Sequence, residues 1–448
     1  MTSPPSLSAR LAALCLAPVG RHARERATLH ILDWYGCAAA GAATATGAAL
    51  WTGLMLPGRP GEAADPWHAL LFDAAVGNIL EMDDIHRAAL CHPGPVIVPA
   101  ALFVGRRLRA PGTAVLDAIV RGYEAAIRLG RAAGAGHYRH WHPTATCGVI
   151  GAAVASASLL ELSGPATAHA IGHAATRAAG LWQVRLEPNM AKAWHNAHAA
   201  QTGVQAASLA QAGATAPAAI LEGEKGFFAA MCPGADPHAV LAPTGDWQLH
   251  DTSIKPWPAC RHTHPAIDAA LVLRERLPGR QDPPARVDVA TYADALGFCD
   301  NPMPRNPAEA RFSLQHAVAV TLLHGEPGFP AFAPEMLQEP TVAAWRARIG
   351  PSLDDAAQQA YPAHFGAALT LRWGDGRVLE ARLADARGDP ERPLAPQAVA
   401  AKARANLAAG GWPPARTDTL VAHCLGLPMT STPISLPHIP LPTEVLLS

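Results

Sequence analysis

Ala367-Ala368-Leu369-Thr370-Leu371-Arg372-Trp373-Gly374-Asp375-Gly376-Arg377-Val378-Leu379-Glu380-Ala381-Arg382-Leu383 reads as two alternating strands joined by a Gly-Asp-Gly turn. Val287-Asp288-Val289-Ala290-Thr291-Tyr292 alternates in the same way. Before about residue 250 the texture is different, with alanine-rich segments whose apolar residues recur at three- and four-residue steps. The expected fold is therefore mainly α, a large all-helical domain plus a smaller α+β lid domain. Residues 1–260 are expected to form the first part of the helical domain and 261–390 the lid. Residues 391–426 return to the helical domain, and 427–448 form a proline-rich tail, extended or disordered.

Within the helical part, residues 5–50 read as two helices, and Leu70 to Met82 as a third that leads into an acidic turn. Helices are expected over Val96 to Arg107, Ala114 to Gly130, Thr144 to Leu162, Ala166 to Ala179 and Met190 to Ala212. Gly134 to Pro143 reads as a loop, and Gly164-Pro165 as a helix stop. Pro217 to Met231 reads as helical with an interruption at 222–226. In the second part, helices are expected at about 265–277 and 307–324, and Pro396 to Ala409 as a final helix.

The chain has 448 residues, of which 50% are hydrophobic and only 16% charged. Lys+Arg 35 against Asp+Glu 36 gives a net charge of −1, so no global field recruits nucleic acid or an anionic membrane. The eight cysteines include no Cys-x-x-Cys pair, which argues against a zinc ribbon or disulfide framework and suits a cytoplasmic enzyme. Leu11 to Gly20 reads as part of a first helix rather than a signal segment, and Pro143 to Leu160 as a buried helix rather than a membrane span. There is no Gly-x-Ser-x-Gly elbow, Gly-x-Gly-x-x-Gly or P-loop, so no nucleotide cofactor is expected.

Histidine is abundant, at 21 residues, and crowds into a few stretches. Glu81-Met82-Asp83-Asp84-Ile85-His86-Arg87-Ala88-Ala89-Leu90-Cys91-His92 packs carboxylates, imidazoles and a guanidinium between apolar segments. Such clustering is costly unless the groups share a polar pocket, and it supplies the materials of acid–base catalysis. Three other clusters stand out: His137, His140 and His142; Lys192, His195 and His198 on one helix face; and Lys255 to His264 with Arg261 and His262. The cations among them suit a di- or tricarboxylate. A metal held by His195, His198, His140, His142 and Asp83 or Asp84 is the weaker reading, because the spacing is not His-Glu-x-x-His and Lys192 repels a cation. His198 and His262 read as packing residues.

Asp83-Asp84-Ile85-His86 with His92-Pro93-Gly94, then His142-Pro143-Thr144-Ala145-Thr146-Cys147-Gly148, Lys192 and Lys255-Pro256-Trp257-Pro258-Ala259-Cys260 together resemble the MmgE/PrpD family. Ile31 to Gly36, Phe312 to His316 and Gly388-Asp389-Pro390 extend the likeness over about residues 5–410. That family includes 2-methylcitrate dehydratase, cis-aconitate decarboxylase and iminodisuccinate epimerase. The resemblance implies a homodimeric lyase, without metal or organic cofactor. It would take a proton from beside a carboxylate of a small polycarboxylic acid and release water or CO₂. An epimerase in the same pocket and a histidine-rich metal-dependent hydrolase are the alternatives. Asp83, Asp84, His92, His142, Lys192 and Lys255 are the expected catalytic residues. Glu81, Ile85, His86, Arg87, Arg261, His264 and His316 are expected to bind substrate. Asp83, Asp84 or His142 is expected as base and His92 as acid. Glu81, Ile85 and His316 depart from the decarboxylase pattern, where aspartate, a hydroxyl residue and tyrosine are usual.

Overall fold

The computed structural model describes residues 4–54, 65–187, 189–277 and 283–440. They fall into two compact units. The first takes in the described residues of Met1–Ile79, Asp83–Ile254 and Ala395–Ser448, and the second Leu80–Met82 and Lys255–Leu394. The chain is mainly helical, and none of the helices among the described residues is long and apolar enough to cross a membrane.

In the first unit, helix Gly148–Leu159 is buried almost throughout and packs against helices Gly112–Tyr138 and Ala191–Gln211. The alanine content explains how. Where Gly122 meets Gly151, a Cβ on either would come within 2.8 Å of the other's carbonyl oxygen, so only a hydrogen fits and the backbones touch. Trp34, Tyr35 and Tyr123 fill the wider spaces.

Several helix limits differ from expectation, and short polar side chains account for some of the differences. The first 50 residues hold three helices, Leu7–Cys15, Arg21–Ala42 and Ala45–Leu54, because the Thr44 hydroxyl accepts from Gly47 N–H at 3.0 Å and opens a new helix. Gly164-Pro165 starts helix Gly164–Ala175 rather than closing one, with Ser163 as its cap. The expected helix 144–162 is divided into Pro143–Thr146 and Gly148–Leu159. There the Thr146 hydroxyl turns back to the His142 carbonyl at 3.2 Å. Helix 114–130 runs from Gly112 to Tyr138, kinked at Gly134, so part of the expected loop is helical. Only Phe227–Met231 is helical within 217–231. The helix expected to reach Met82 spans Pro66–Val76, and the following residues turn at Gly77-Asn78. A further helix, Pro414–Gly426, follows Pro396–Ala409. After a 3-10 turn at Leu427–Met429, the segment runs extended as far as 440. It is held by Tyr35, whose hydroxyl donates to the Pro437 carbonyl at 2.6 Å, and by Asp73, which accepts from Ile439 N–H at 2.9 Å. The remainder of the expected tail, 441–448, lies outside the described residues.

The second unit is built on a mixed four-stranded sheet in the order β2-β1-β3-β4, with β1 Arg286–Thr291, β2 Ile349–Leu353, β3 Ala367–Arg372 and β4 Val378–Leu383. β1 pairs parallel with β2, Val287 opposite Ile349, and antiparallel with β3, Val289 opposite Leu369. β3 and β4 form the expected hairpin. β2 was not anticipated, because Gly350-Pro351 reads as a break. Proline is tolerated there because the strand lies at the sheet edge. Helices His264–Arg274 and Leu314–His324 pack on this sheet, sharing a core with Val287, Val289, Leu369 and Leu371. The span expected as one helix over 307–324 is divided by Ser313, which caps the second piece through His316 N–H.

Helices Arg21–Ala42 and Pro396–Ala409 are tied by a buried ion pair, Lys402 Nζ to Asp33 Oδ1. Burial pushes the Asp33 carboxyl up to about 6 against the pull of Lys402. Removing one partner strands a buried charge, so Lys402→Met should cost about 3–5 kcal/mol, whereas Asp33→Leu with Lys402→Met should recover much of the loss. Urea denaturation of the two single variants and the double variant measures this, and additive losses would refute the coupling.

Candidate active site

Asp83 and Asp84 are both buried and adjacent, yet they serve different partners. Asp84 accepts from the Tyr123 hydroxyl at 2.6 Å and from Gly94 N–H at 2.9 Å, and lies 2.7 Å from His30 Nδ1. A carboxylate so engaged is a brace for the fold, and the expectation that Asp84 serves as a base does not fit it. Asp83 accepts from Asn78 Nδ2 on both oxygens, at 2.6 and 2.7 Å, and its Oδ2 lies 2.9 Å from His92 Nδ1. His92 is anchored through its own backbone N–H, which donates to the Thr144 hydroxyl at 3.0 Å.

His142 lies in the same unit. Its backbone N–H donates to the Gly180 carbonyl, and its ring stacks on Trp182 at 4.4 Å with the planes 13° apart. Gly180 has φ +133°, and a Cβ there would press on Ala145, His195 and His142, so the close approach needs glycine. His142 Nδ1 lies 3.3 Å from His195 Nδ1. Its Nε2 is buried with no hydrogen-bond partner among the described residues. Burial holds the His142 pKa well below the ordinary imidazole value, reinforced by Lys192, His195 and His92 and opposed by Asp83. That mutual influence brings Asp83, His92, His142 and Lys192 into one electrostatic neighbourhood, which Asn78, His195 and Trp182 complete. Sequence reasoning placed His195 beside Lys192, with a role only in the weaker metal reading, and missed Asn78 and Trp182, which carry no local signal.

Other expected residues are otherwise engaged. His86 Nδ1 accepts from Ala89 N–H at 3.1 Å, and burial, helped by Arg131 and Arg87, takes its pKa down to about 3. Arg87 is buried in the same turn, and Ile85 exchanges backbone hydrogen bonds with Ser253. His137 and His140 do not join His142. His137 is bonded to the Met231 carbonyl and the Thr146 hydroxyl, and His140 is exposed.

In the second unit, Lys255 is buried and donates to the carbonyl of Glu81, whose φ is +54°. Arg261, expected to meet a substrate carboxylate, is buried against Asp389. His264 Nε2 is bonded to the Ala259 carbonyl at 3.1 Å. His316 has both ring nitrogens engaged, Nε2 by the Ala331 carbonyl at 2.8 Å and Nδ1 by Arg346 at 3.3 Å, and burial takes its pKa to about 4. Arg261, through its ion pair with Asp389, and His316, through its two hydrogen bonds, thus each meet partners within their own unit. His262 packs between Phe298 and Phe365. Among the described residues, the side-chain groups within metal-sharing reach are His22/Asp246/His250 and His364/Asp385/Glu391, and neither contains a residue of the candidate site.

Models of the MmgE/PrpD N-terminal and C-terminal domains match residues 6–240 and 257–427. The chain belongs to the MmgE/PrpD family. A cis-aconitate decarboxylase-like protein of Aspergillus oryzae is 26% identical to it over 72% of this chain and 72% of that protein. Cis-aconitate decarboxylase of Aspergillus terreus is 28% identical over 57% of this chain and 56% of that protein. 2-Methylcitrate dehydratase of Cupriavidus necator is 28% identical over 50% and 49%. The last two matches thus span about half the length of those relatives, and the names divide between decarboxylase and dehydratase.

The buried imidazoles of this MmgE/PrpD chain should contribute to its acid sensitivity. His86, His142 and His316 are bases whose pKa in the folded chain lies below the unfolded value of about 6.5. The unfolded chain therefore takes up more protons below that pH, and stability falls as pH drops through it. Each should cost about 1.4 kcal/mol at one pH unit below 6.5. Denaturation midpoints should fall between about pH 7 and 5.5, ahead of carboxylate protonation. A flat profile over that range would contradict the neutral, buried state.

Proposed function

We propose that the chain is a lyase that removes a proton from beside a carboxylate of a small polycarboxylic acid, with loss of water, or with loss of CO₂ and return of a proton to carbon. The observation that carries this reading is the Asn78–Asp83–His92 chain. A carboxylate 2.9 Å from Nδ1 favours the tautomer with its proton on Nδ1, which leaves a lone pair on Nε2, the arrangement of a general base. Asp83 then orients His92 and balances the charge that develops on it. This exchanges the roles expected from sequence, in which His92 was the acid. Lys192 would neutralise a substrate carboxylate and the negative charge that builds up when the carbon acid is deprotonated. The family resemblance gives Lys255 a similar task. Dehydration is the preferred outcome, and the chemistry needs only side chains, so activity should survive dialysis against a chelator.

Epimerisation of a dicarboxylate is the second reading. It is favoured by one feature: His92 and His142 are two imidazoles held by separate partners, as a two-base reaction requires.

Proton NMR in D₂O with citrate, 2-methylcitrate, cis-aconitate, malate-like and iminodicarboxylate compounds tests both. New vinyl signals or released CO₂ are expected, whereas deuterium uptake without elimination would establish the epimerase. Asp83→Asn should lower kcat about 10²–10⁴-fold with the far-ultraviolet spectrum unchanged. Lys192→Ala and Lys255→Ala should abolish turnover. Full activity in Asp83→Asn would remove His92 from the role of base.

A further inference from the structure

We propose that His195 is a positioning residue for His142, sharing one proton between the two Nδ1 atoms and so fixing what the buried Nε2 of His142 presents. The inference rests on reading His142 as a site residue and goes beyond it by naming what controls that imidazole. The two Nδ1 atoms are 3.3 Å apart, and two lone pairs at that distance repel, so one ring must donate to the other. If His195 donates, His142 carries its own proton on Nε2 and presents a donor. If His142 donates, its Nε2 is a lone pair and presents a base. The Nδ1 contact therefore decides whether His142 is an acid or a base, without any change in its charge.

The surroundings require such a neutral device. His142 is 1% exposed, closed on one face by Trp182, and feels Lys192, His195, His92 and Asp83. His195 in turn feels His198 and Lys192. A lasting imidazolium at His142 is costly in that setting. The shared proton removes the difficulty. Where His142 serves as the second of the two imidazole bases, opposite His92, the electron pair of the breaking C–H bond stays on the substrate and the proton adds to Nε2 of His142. The Nδ1 proton of His142 passes to Nδ1 of His195, and His195 releases its Nε2 proton to water. His142 ends neutral and its protons balance. His195 is suited to the outer position, because it is half-buried and so in contact with solvent, whereas His142 is not. The helix Ala191–Gln211 holds it there, and Gly180 leaves room for the two rings to meet.

The test reads His142 directly. Long-range ¹H–¹⁵N spectra of the full chain labelled with ¹⁵N-histidine report both ring nitrogens, and the signals of His142 are identified by their loss in His142→Phe. His142 should stay neutral between about pH 6 and 8. Its Nδ1 resonance should move in His195→Phe, which keeps a ring and lacks a proton, and move less in His195→Asn, which keeps a polar group near Nδ1. Nitrogen shifts of His142 that are the same in wild type and His195→Phe would overturn the proposal. With a substrate in hand, His195→Phe should lower kcat about 100-fold with little change in KM, and His195→Asn should recover part of it. Equal kcat in wild type and His195→Phe would overturn the proton transfer. No turnover by the wild type across the carboxylic acids would count against the lyase reading, while the nitrogen shifts would still decide whether His195 governs His142.

Discussion

The carboxylate of Asp84 is the fixed point of the first unit. Taking a carboxylate out of water costs several kcal/mol unless hydrogen bonds replace the lost hydration. Here the replacements come from three places in the chain: His30 on helix Arg21–Ala42, Tyr123 on helix Gly112–Tyr138, and the first backbone N–H of helix Gly94–Leu108. Displacing any of these helices would expose an unsatisfied charge, so Asp84 fixes their arrangement together with the acidic stretch itself. Adjacent side chains on a non-helical segment leave the backbone on different sides. Anchoring Asp84 among the helices therefore turns Asp83 elsewhere, toward Asn78 and His92. On the proposed reading, the Asp-Asp pair joins scaffold to chemistry through one peptide bond.

Hydrogen-bond accounting separates the histidines that build the fold from those available for chemistry. His86, His142 and His316 are all buried and all held neutral by burial. His316 has both nitrogens taken, by Ala331 and Arg346, and His86 Nδ1 closes its own turn through Ala89 while its Nε2 is buried without a partner among the described residues. His142 differs from both at Nδ1. One nitrogen meets another imidazole, which can give or take a proton, and the other has no partner among the described residues. A buried polar atom left without a partner costs about 1–3 kcal/mol, and that cost is understandable where the group is kept for a reacting molecule.

How much of this could be read in the sequence depended on how local each cause was. The strands at 286–291, 367–372 and 378–383 follow from alternation, a nearest-neighbour property. β2 did not, because Gly350-Pro351 masks a strand that only its edge position permits. The breaks at Thr44 and Ser313 were missed because apolar periodicity runs through them while a single hydroxyl starts a new helix, and at Ser163 the break was expected but Gly164-Pro165 was read as a stop rather than a start. The acidic stretch was legible from its charge density. The division of labour inside it was not, since Asp83 and Asp84 differ only in partners contributed by residues 30, 78, 94 and 123. Arg261 illustrates the same limit, for nothing near it in sequence announces Asp389 as its counter-ion.

The position of Ile85 bears on which acid this fold receives. It sits beside the braced aspartates and bonds to Ser253 through backbone alone, so its side chain offers an aliphatic surface. The decarboxylase pattern has a hydroxyl residue at this place, which can hold a carboxylate or hydroxyl of the substrate. A pocket built to bond such a group rejects molecules that lack it far more strongly than an aliphatic pocket rejects molecules that carry it. Exchanging the hydroxyl for isoleucine therefore relaxes that demand and rewards an acid with less polar surface there. At 26–28% identity the relatives already divide between two reactions. On the proposed reading, proton removal beside a carboxylate needs an oriented imidazole and a cation, both of which can stay fixed while the wall at Ile85 changes. On that reading reaction chemistry and substrate choice rest on different residues of one short stretch, and the second can drift without disturbing the first.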